Sequence, residues 1–215
     1  MSSDIFEITL LSIQVSLLAT AISLFIGLPL GTWLALRNQL RGRSIMLSII
    51  NTGMALPPVV VGLFVAMTLW RSGPLGDLRL IYTPAAIVIA QTIIAAPVVT
   101  GLTASALQQL DPRLRLQLLG LGASPVQMVI ALWREARLPL LAALMAAFGS
   151  VISEVGASMM VGGNIRHQTR VLTTAIVLET GKGEFQNAIS LSIILLILAY
   201  LVNLGLTLIQ QRGAR

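Results

Sequence analysis

Runs of about twenty apolar residues recur along this chain, the length a helix needs to cross a hydrocarbon core about 30 Å thick. They lie at about 8–36, 44–70, 84–107, 138–161 and 188–209. The spacing predicts an all-α integral membrane protein with about five transmembrane helices, in a single domain over residues 1–215. Gly27, Pro29 and Gly31 interrupt the first run, Pro57-Pro58 the second and Pro97 the third. Neighbouring helices of a bundle can satisfy the carbonyls that such prolines free. Only 10% of the residues are charged, against about a quarter in soluble domains. A water-soluble fold of this size is thereby excluded. In the fourth run Ala142, Ala146, Gly149, Ser153 and Ala157 form a stripe at helical spacing, which reads as ordinary bundle packing.

Several function classes fall away on composition. There is no cysteine and a single histidine, His167, so disulfides, thiolate metal sites and histidine clusters are excluded, and no metal site is expected. The net charge of +6 comes without an aromatic-rich basic patch, so no nucleic-acid partner is expected. Asp4 and Glu7 precede the first apolar run without a basic stretch, so that run reads as a retained span rather than a cleaved signal. No G-x-x-x-x-G-K-[ST] loop and no nucleophile–base pair occur, so the chain is not expected to be an enzyme.

Basic residues orient the spans. One set of loops carries Arg37, Arg41, Arg43, Arg113, Arg115, Arg134, Arg137, Arg212 and Arg215. The other carries Arg71, Arg79, Arg166, Arg170 and Lys182, and nine against five makes the first set cytoplasmic. Asp4, Glu7, Asp77, Glu179 and Glu184 all fall on the opposite side. The N-terminus is then external and the C-terminus internal.

The segment 111–138, between the third and fourth spans, is the most patterned loop. Asp111 is placed to cap a helix opened by Pro112 and closed at Gly120 or Gly122. Ser124 is placed to cap a second helix with Pro125 in its first turn. Val126, Val129, Ile130 and Trp133 then share one face of that helix. A helical hairpin with one apolar stripe at the inner membrane face suits a partner protein's groove or the lipid surface.

Gly122-Ala123-Ser124-Pro125, with Leu138-Pro139 downstream, resembles the signature loop of ABC importer permeases: Glu-Ala-Ala, three residues, Gly, nine residues, Ile-x-Leu-Pro. The Glu-Ala-Ala slot holds Leu116-Gln117-Leu118, and Leu-Pro arrives one helical turn late. A second stretch, Ser153-Glu154-Val155-Gly156-Ala157 through Val161-Gly162-Gly163-Asn164-Ile165, is similar to the tungstate-type branch of the molybdate/tungstate permeases. So are Thr169 to Ile176 and Glu179 to Phe185.

The resemblance implies a type I ABC importer permease fold in a prokaryotic cytoplasmic membrane. It implies a homodimer, two cytoplasmic ABC ATPase subunits that bind ATP and Mg, and an external substrate-binding protein, with no cofactor on this chain. The function expected is ATP-driven import of an oxyanion, tungstate or else molybdate, by alternating access. An ATP-independent pore or scaffold is the alternative from another class. In the importer reading, Gly122, Ala123, Ser124, Pro125, Val126, Val129, Ile130 and Trp133 dock in the ATPase. Asn164, Arg166, His167, Arg170, Thr173 and Thr174 gather cations and donors suited either to a tetrahedral dianion or to acidic patches on the binding protein. Ser153 and Glu154 lie inside the fourth span, where a carboxylate must find partners, and a gating role is expected for them. Ser153, Ser158, Asn51 and Thr52 are the donors that stand within its reach in the sequence pattern.

Overall fold

The computed structural model describes residues 2–37 and 41–213; Arg215 of the basic set lies outside them. The described chain is built of helices joined by short turns, and no strand occurs among the described residues. Helix α1, Ser2–Leu36, spans 35 residues without interruption at Pro29, about 50 Å at 1.5 Å per residue. Helix α4, Pro84–Gln108, is likewise continuous through Pro97. The two pack along much of their length. Helix α10, Phe185–Gly213, is the third long apolar helix. These three are each long and apolar enough to cross a membrane.

The second and fourth expected spans are not single helices. Helix α2, Arg43–Met54, and helix α3, Pro58–Leu69, meet at 97°. Pro57 is extended (φ −61°, ψ 124°), as a residue before proline prefers, and Pro58 opens α3 at its first turn. The tandem prolines therefore break the span rather than kink it. The fourth span divides into α7, Arg137–Ile152, and α8, Gly156–Gly162, separated by Ser153 to Val155. Counting the α2–α3 pair as one span, and α7 with the bent helix Pro125–Glu135 before it as another, gives five.

Two further expectations are corrected. Of the stripe Ala142, Ala146, Gly149, Ser153 and Ala157, only Ala157, on α8, is buried in the core; Ala142, Ala146 and Ser153 are exposed. The buried side of α7 is Ala143, Ala147, Phe148 and Val151. Small residues occupy both faces, so spacing alone cannot say which is covered. The segment between the fourth and fifth spans, read as an external loop, holds helix α9, Leu172–Gly181, with Leu172, Thr173, Thr174 and Ala175 buried. It is too short and too mixed to announce itself by periodicity.

The core joins the broken elements to the long ones. Val15 of α1, Val61 and Val65 of α3, Ala86, Ile87 and Ala90 of α4, and Ala157 and Val161 of α8 form one buried cluster. The contact between α3 and α8 is close enough to require glycine. A Cβ on Gly62 would lie 2.6 Å from Cα of Ala157.

Candidate functional sites

The hairpin after α4 forms as its capping residues dictate. Helix α5, Pro112–Gly120, is capped by Asp111, whose Oδ1 accepts from the Arg113 amide at 2.8 Å. Helix α6, Pro125–Glu135, begins with a reciprocal pair: Ser124 Oγ accepts from the Gln127 amide and Gln127 Oε1 accepts from the Ser124 amide at 2.8 Å. Between the helices Gly122 sits at φ +75°, the left-handed region that glycine occupies without strain.

The expected stripe on α6 is divided. Met128, Leu132 and Ala136 are its buried side, packed on Ala35 of α1 and Leu107 of α4. Val126 and Ile130 point away, 68% and 45% exposed, and Val129 is half-buried. Trp133 is turned inward: its indole N–H donates to Thr32 Oγ1 of α1 at 2.8 Å. Arg115 of α5 donates to the carbonyl of Leu36 at 2.9 Å. The hairpin is thus seated on the C-terminal ends of α1 and α4 and presents Gly122 to Val126 and Ile130 away from them. Two i, i+4 apolar sets coexist on this helix, and only the tertiary contacts decide which one is covered. Helix α7 leaves α6 at 76°.

At the opposite end, the loop between α8 and α9 is tightly held. Gly163 and Asn164 take left-handed conformations, and the Ile165 carbonyl accepts from the amides of Gln168, Thr169 and Arg170. Thr169, fully buried, accepts from the Ile165 amide and donates to the Gly162 carbonyl. Arg170 donates to the side-chain and backbone oxygens of Asn164 at 3.2 and 3.3 Å, and Asn164 donates to the Thr174 carbonyl.

Most of the donors expected to face an anion are therefore engaged internally. Thr173 Oγ1 donates to the Glu154 carbonyl at 2.8 Å, and Thr174 Oγ1 bonds both backbone groups of Val171. Arg166 and His167 are exposed on the rim, yet they face acids of α1. Arg166 pairs with Asp4 at 2.7 Å, and His167 Nδ1 lies 2.7 Å from Glu7. Asp4, Glu7 and His167 bring three ligand-type atoms within 4.8 Å of one another, a group that their separation in sequence hid. The Arg166 guanidinium on Asp4 makes this an ion-pair cluster. It borders a cleft of about 570 Å³ between α1, α9 and α10.

Glu154 lies in the break between α7 and α8 and is 5% exposed. Its Oε1 accepts from the Ala157 amide at 2.6 Å, and its Oε2 accepts from the Ser158 amide at 2.9 Å and the Ser158 hydroxyl at 2.8 Å. The carboxylate thus caps the first turn of α8 inside the bundle, where its charge meets the positive end of the helix. Of the expected donors, Ser158 is a partner; Ser153 donates instead to the Gly149 carbonyl at 2.7 Å. Asn51 and Thr52 line an open groove on α2 with Ser44 and Ser48. Sequence reasoning missed Gln91 of α4, which is 2% exposed and donates to the Val151 carbonyl at 3.2 Å and to Ser158 Oγ at 3.4 Å. A glutamine in the middle of a long apolar run, rather than at its end like Gln108, is the signal that could have found it.

Long apolar helices, two broken spans and a capped hairpin at one end define a membrane permease fold. The same fold is found in a chain of the MetNI methionine ABC transporter in an inward-facing conformation. That likeness has a TM-score of 0.76 at 19% identity and covers 100% of this chain and 96% of that one. The family described as binding-protein-dependent transport system inner membrane component matches residues 27–214, and the chain belongs to it. Among curated relatives, a probable anion ABC transporter permease protein of Haloferax volcanii is 43% identical, covering 92% of this chain and 87% of its own length. The tungstate uptake system permease protein TupB of Peptoclostridium acidaminophilum is 37% identical, covering 97% and 91%.

Proposed function

We propose that the chain is the permease subunit of an ATP-driven importer that carries tungstate across the cytoplasmic membrane. The observation that supports the substrate most directly is the similarity to a tungstate uptake permease along nearly the whole of both chains. In this reading two copies pair about an axis normal to the membrane and enclose the path between them, since five spans are few to enclose one alone. Each copy offers Gly122 to Val126 and Ile130 to a cytoplasmic ATPase subunit that binds ATP and Mg. Closure of the ATPases moves α6, and with it α1 and α7, so that the path opens alternately outward and inward. The polar groove on α2 and the exposed stripe on α7 are the surfaces available to line it. Glu154 fixes the α7–α8 break through the cycle.

The rim residues Arg166 and His167 fit docking of an external binding protein better than anion coordination, because their acidic partners would repel a dianion. The orientation follows the basic residues, with the hairpin cytoplasmic and the α8–α9 loop outside. The test is reconstitution of the chain with its ATPase and binding protein in liposomes. ATP-dependent tungstate uptake, competed weakly by molybdate and absent without the ATPase, is the expected result. Uptake or conductance without any ATPase sinks the proposal.

A further inference from the structure

Gln91 is the one buried amide that bridges both sides of the α7–α8 break among the hydrogen bonds described. Its Nε2 carries two hydrogens, and each has an acceptor. One is the Val151 carbonyl near the end of α7, and the other is Ser158 Oγ in the first turn of α8. Ser158 Oγ passes its own hydrogen to Glu154 Oε2. A directed chain therefore runs from α4 through α8 to the carboxylate that caps it. The amide orientation is settled by Val151, whose carbonyl can only accept.

The same amide leaves Gln91 Oε1 buried with no protein hydrogen-bond partner among the described residues. Gln91 lines a small void of about 10 Å³ with Ser12, Ser16 and Thr173 as its polar neighbours. That volume matches the ~10–15 Å³ that one water centre requires, and a buried water needs about two to four polar partners. Ser16 is 2% exposed, Thr173 5% and Ser12 4%, so the polar lining of the void is itself buried. An unpaired amide oxygen in a low-dielectric bundle is costly, which favours occupancy of the void.

We infer that this void binds one water molecule at Gln91 Oε1, and that Gln91, completed by it, is the positioning residue that holds α7 and α8 in register across the break. The water donates to Gln91 Oε1 and bonds the Ser16 hydroxyl, tying α1 to the same joint. This goes beyond the importer reading and depends on it for none of its structural readouts.

Two measurements on the complete transporter test it. The first is a structure at a resolution that shows ordered waters. Density in the void within hydrogen-bonding distance of Gln91 Oε1 is expected, and it disappears in Gln91→Met, which keeps volume and removes the amide. The second uses the absence of native cysteine. Val151→Cys places a unique thiol at a position 1% exposed beside the break. Its alkylation by a membrane-permeant maleimide, read on this chain after electrophoresis, should rise about tenfold when Gln91→Met is added, because Ser158 Oγ loses its donor and the Val151 carbonyl keeps only the Glu154 amide, so α4 no longer ties the two sides of the break. Gln91→Glu keeps the shape and at most one of the two donors, so it should also raise the rate, which separates hydrogen bonding from packing. No density in the void of the wild-type protein overturns the inference, as does an unchanged alkylation rate in both variants. Failure of tungstate uptake in the wild type would instead count against the importer reading and leave these two readouts intact.

Discussion

Glu154 carries the sharpest prediction because both of its oxygens accept. Three donors converge on it: the amides of Ala157 and Ser158 and the Ser158 hydroxyl. Replacing it with alanine strands two buried amides, since the hydroxyl can rotate elsewhere. At about 1–3 kcal/mol for each stranded donor, the loss is about 2–6 kcal/mol. Glutamine cannot restore the site fully. If its oxygen serves Ser158, its amide nitrogen takes the Oε1 position, 2.6 Å from the Ala157 amide, and donor faces donor. One stranded amide then remains, costing about 1–3 kcal/mol. The expected order is wild type, then Glu154→Gln, then Glu154→Ala, both in apparent Tm and in ATP-dependent uptake. For a chain of this length each kcal/mol corresponds to about 2–4 °C. Thermal unfolding of the purified transporter, followed by transport in liposomes, measures both. A Gln variant equal to the wild type in Tm and in uptake would refute the argument that two acceptors are required.

Three further outcomes are expected. Gly122→Val forces a β-branched residue to φ +75° with open space around it, so strain of about 1–2 kcal/mol arises from the backbone and not from a clash. The variant should insert and assemble while ATPase stimulation by loaded binding protein falls at least about fivefold; normal stimulation moves the contact elsewhere. Gly62→Leu places atoms against the backbone of Ala157, so α3 and α8 must separate and the protein should be lost from the membrane fraction or melt at least about 5 °C lower. Retention of wild-type Tm denies that contact. Arg166→Gln removes an exposed ion pair that contributes little to folding, so Tm should hold within about 1 °C. Binding-protein docking should weaken, and the wild-type affinity should itself fall as salt rises; unchanged docking with lost uptake would return Arg166 to the anion path.

Period and punctuation carried the local architecture. Apolar runs located α4 and α10 within about four residues and the end but not the start of α1, and Asp111, Pro112, Gly122, Ser124 and Pro125 located both hairpin helices, because caps and left-handed turns depend on chemistry within four residues. Tandem proline reads as a tolerated kink in one span, and only the structure shows two helices meeting there at 97°. Glu154 announced itself as the carboxylate inside a span. Its partners were another matter, as was the choice between the two faces of α6 and of α7. Each face is apolar enough to be buried, so the answer depends on which neighbour arrives, and that is set by helices a hundred residues away. The pairing of Trp133 with Thr32 and of Asp4 with Arg166, and the reach of Gln91 across the α7–α8 break, have the same origin. Hydrogen bonds between distant segments follow from helix packing, and packing angles are decided by side-chain fit in three dimensions, where a one-dimensional pattern has no purchase.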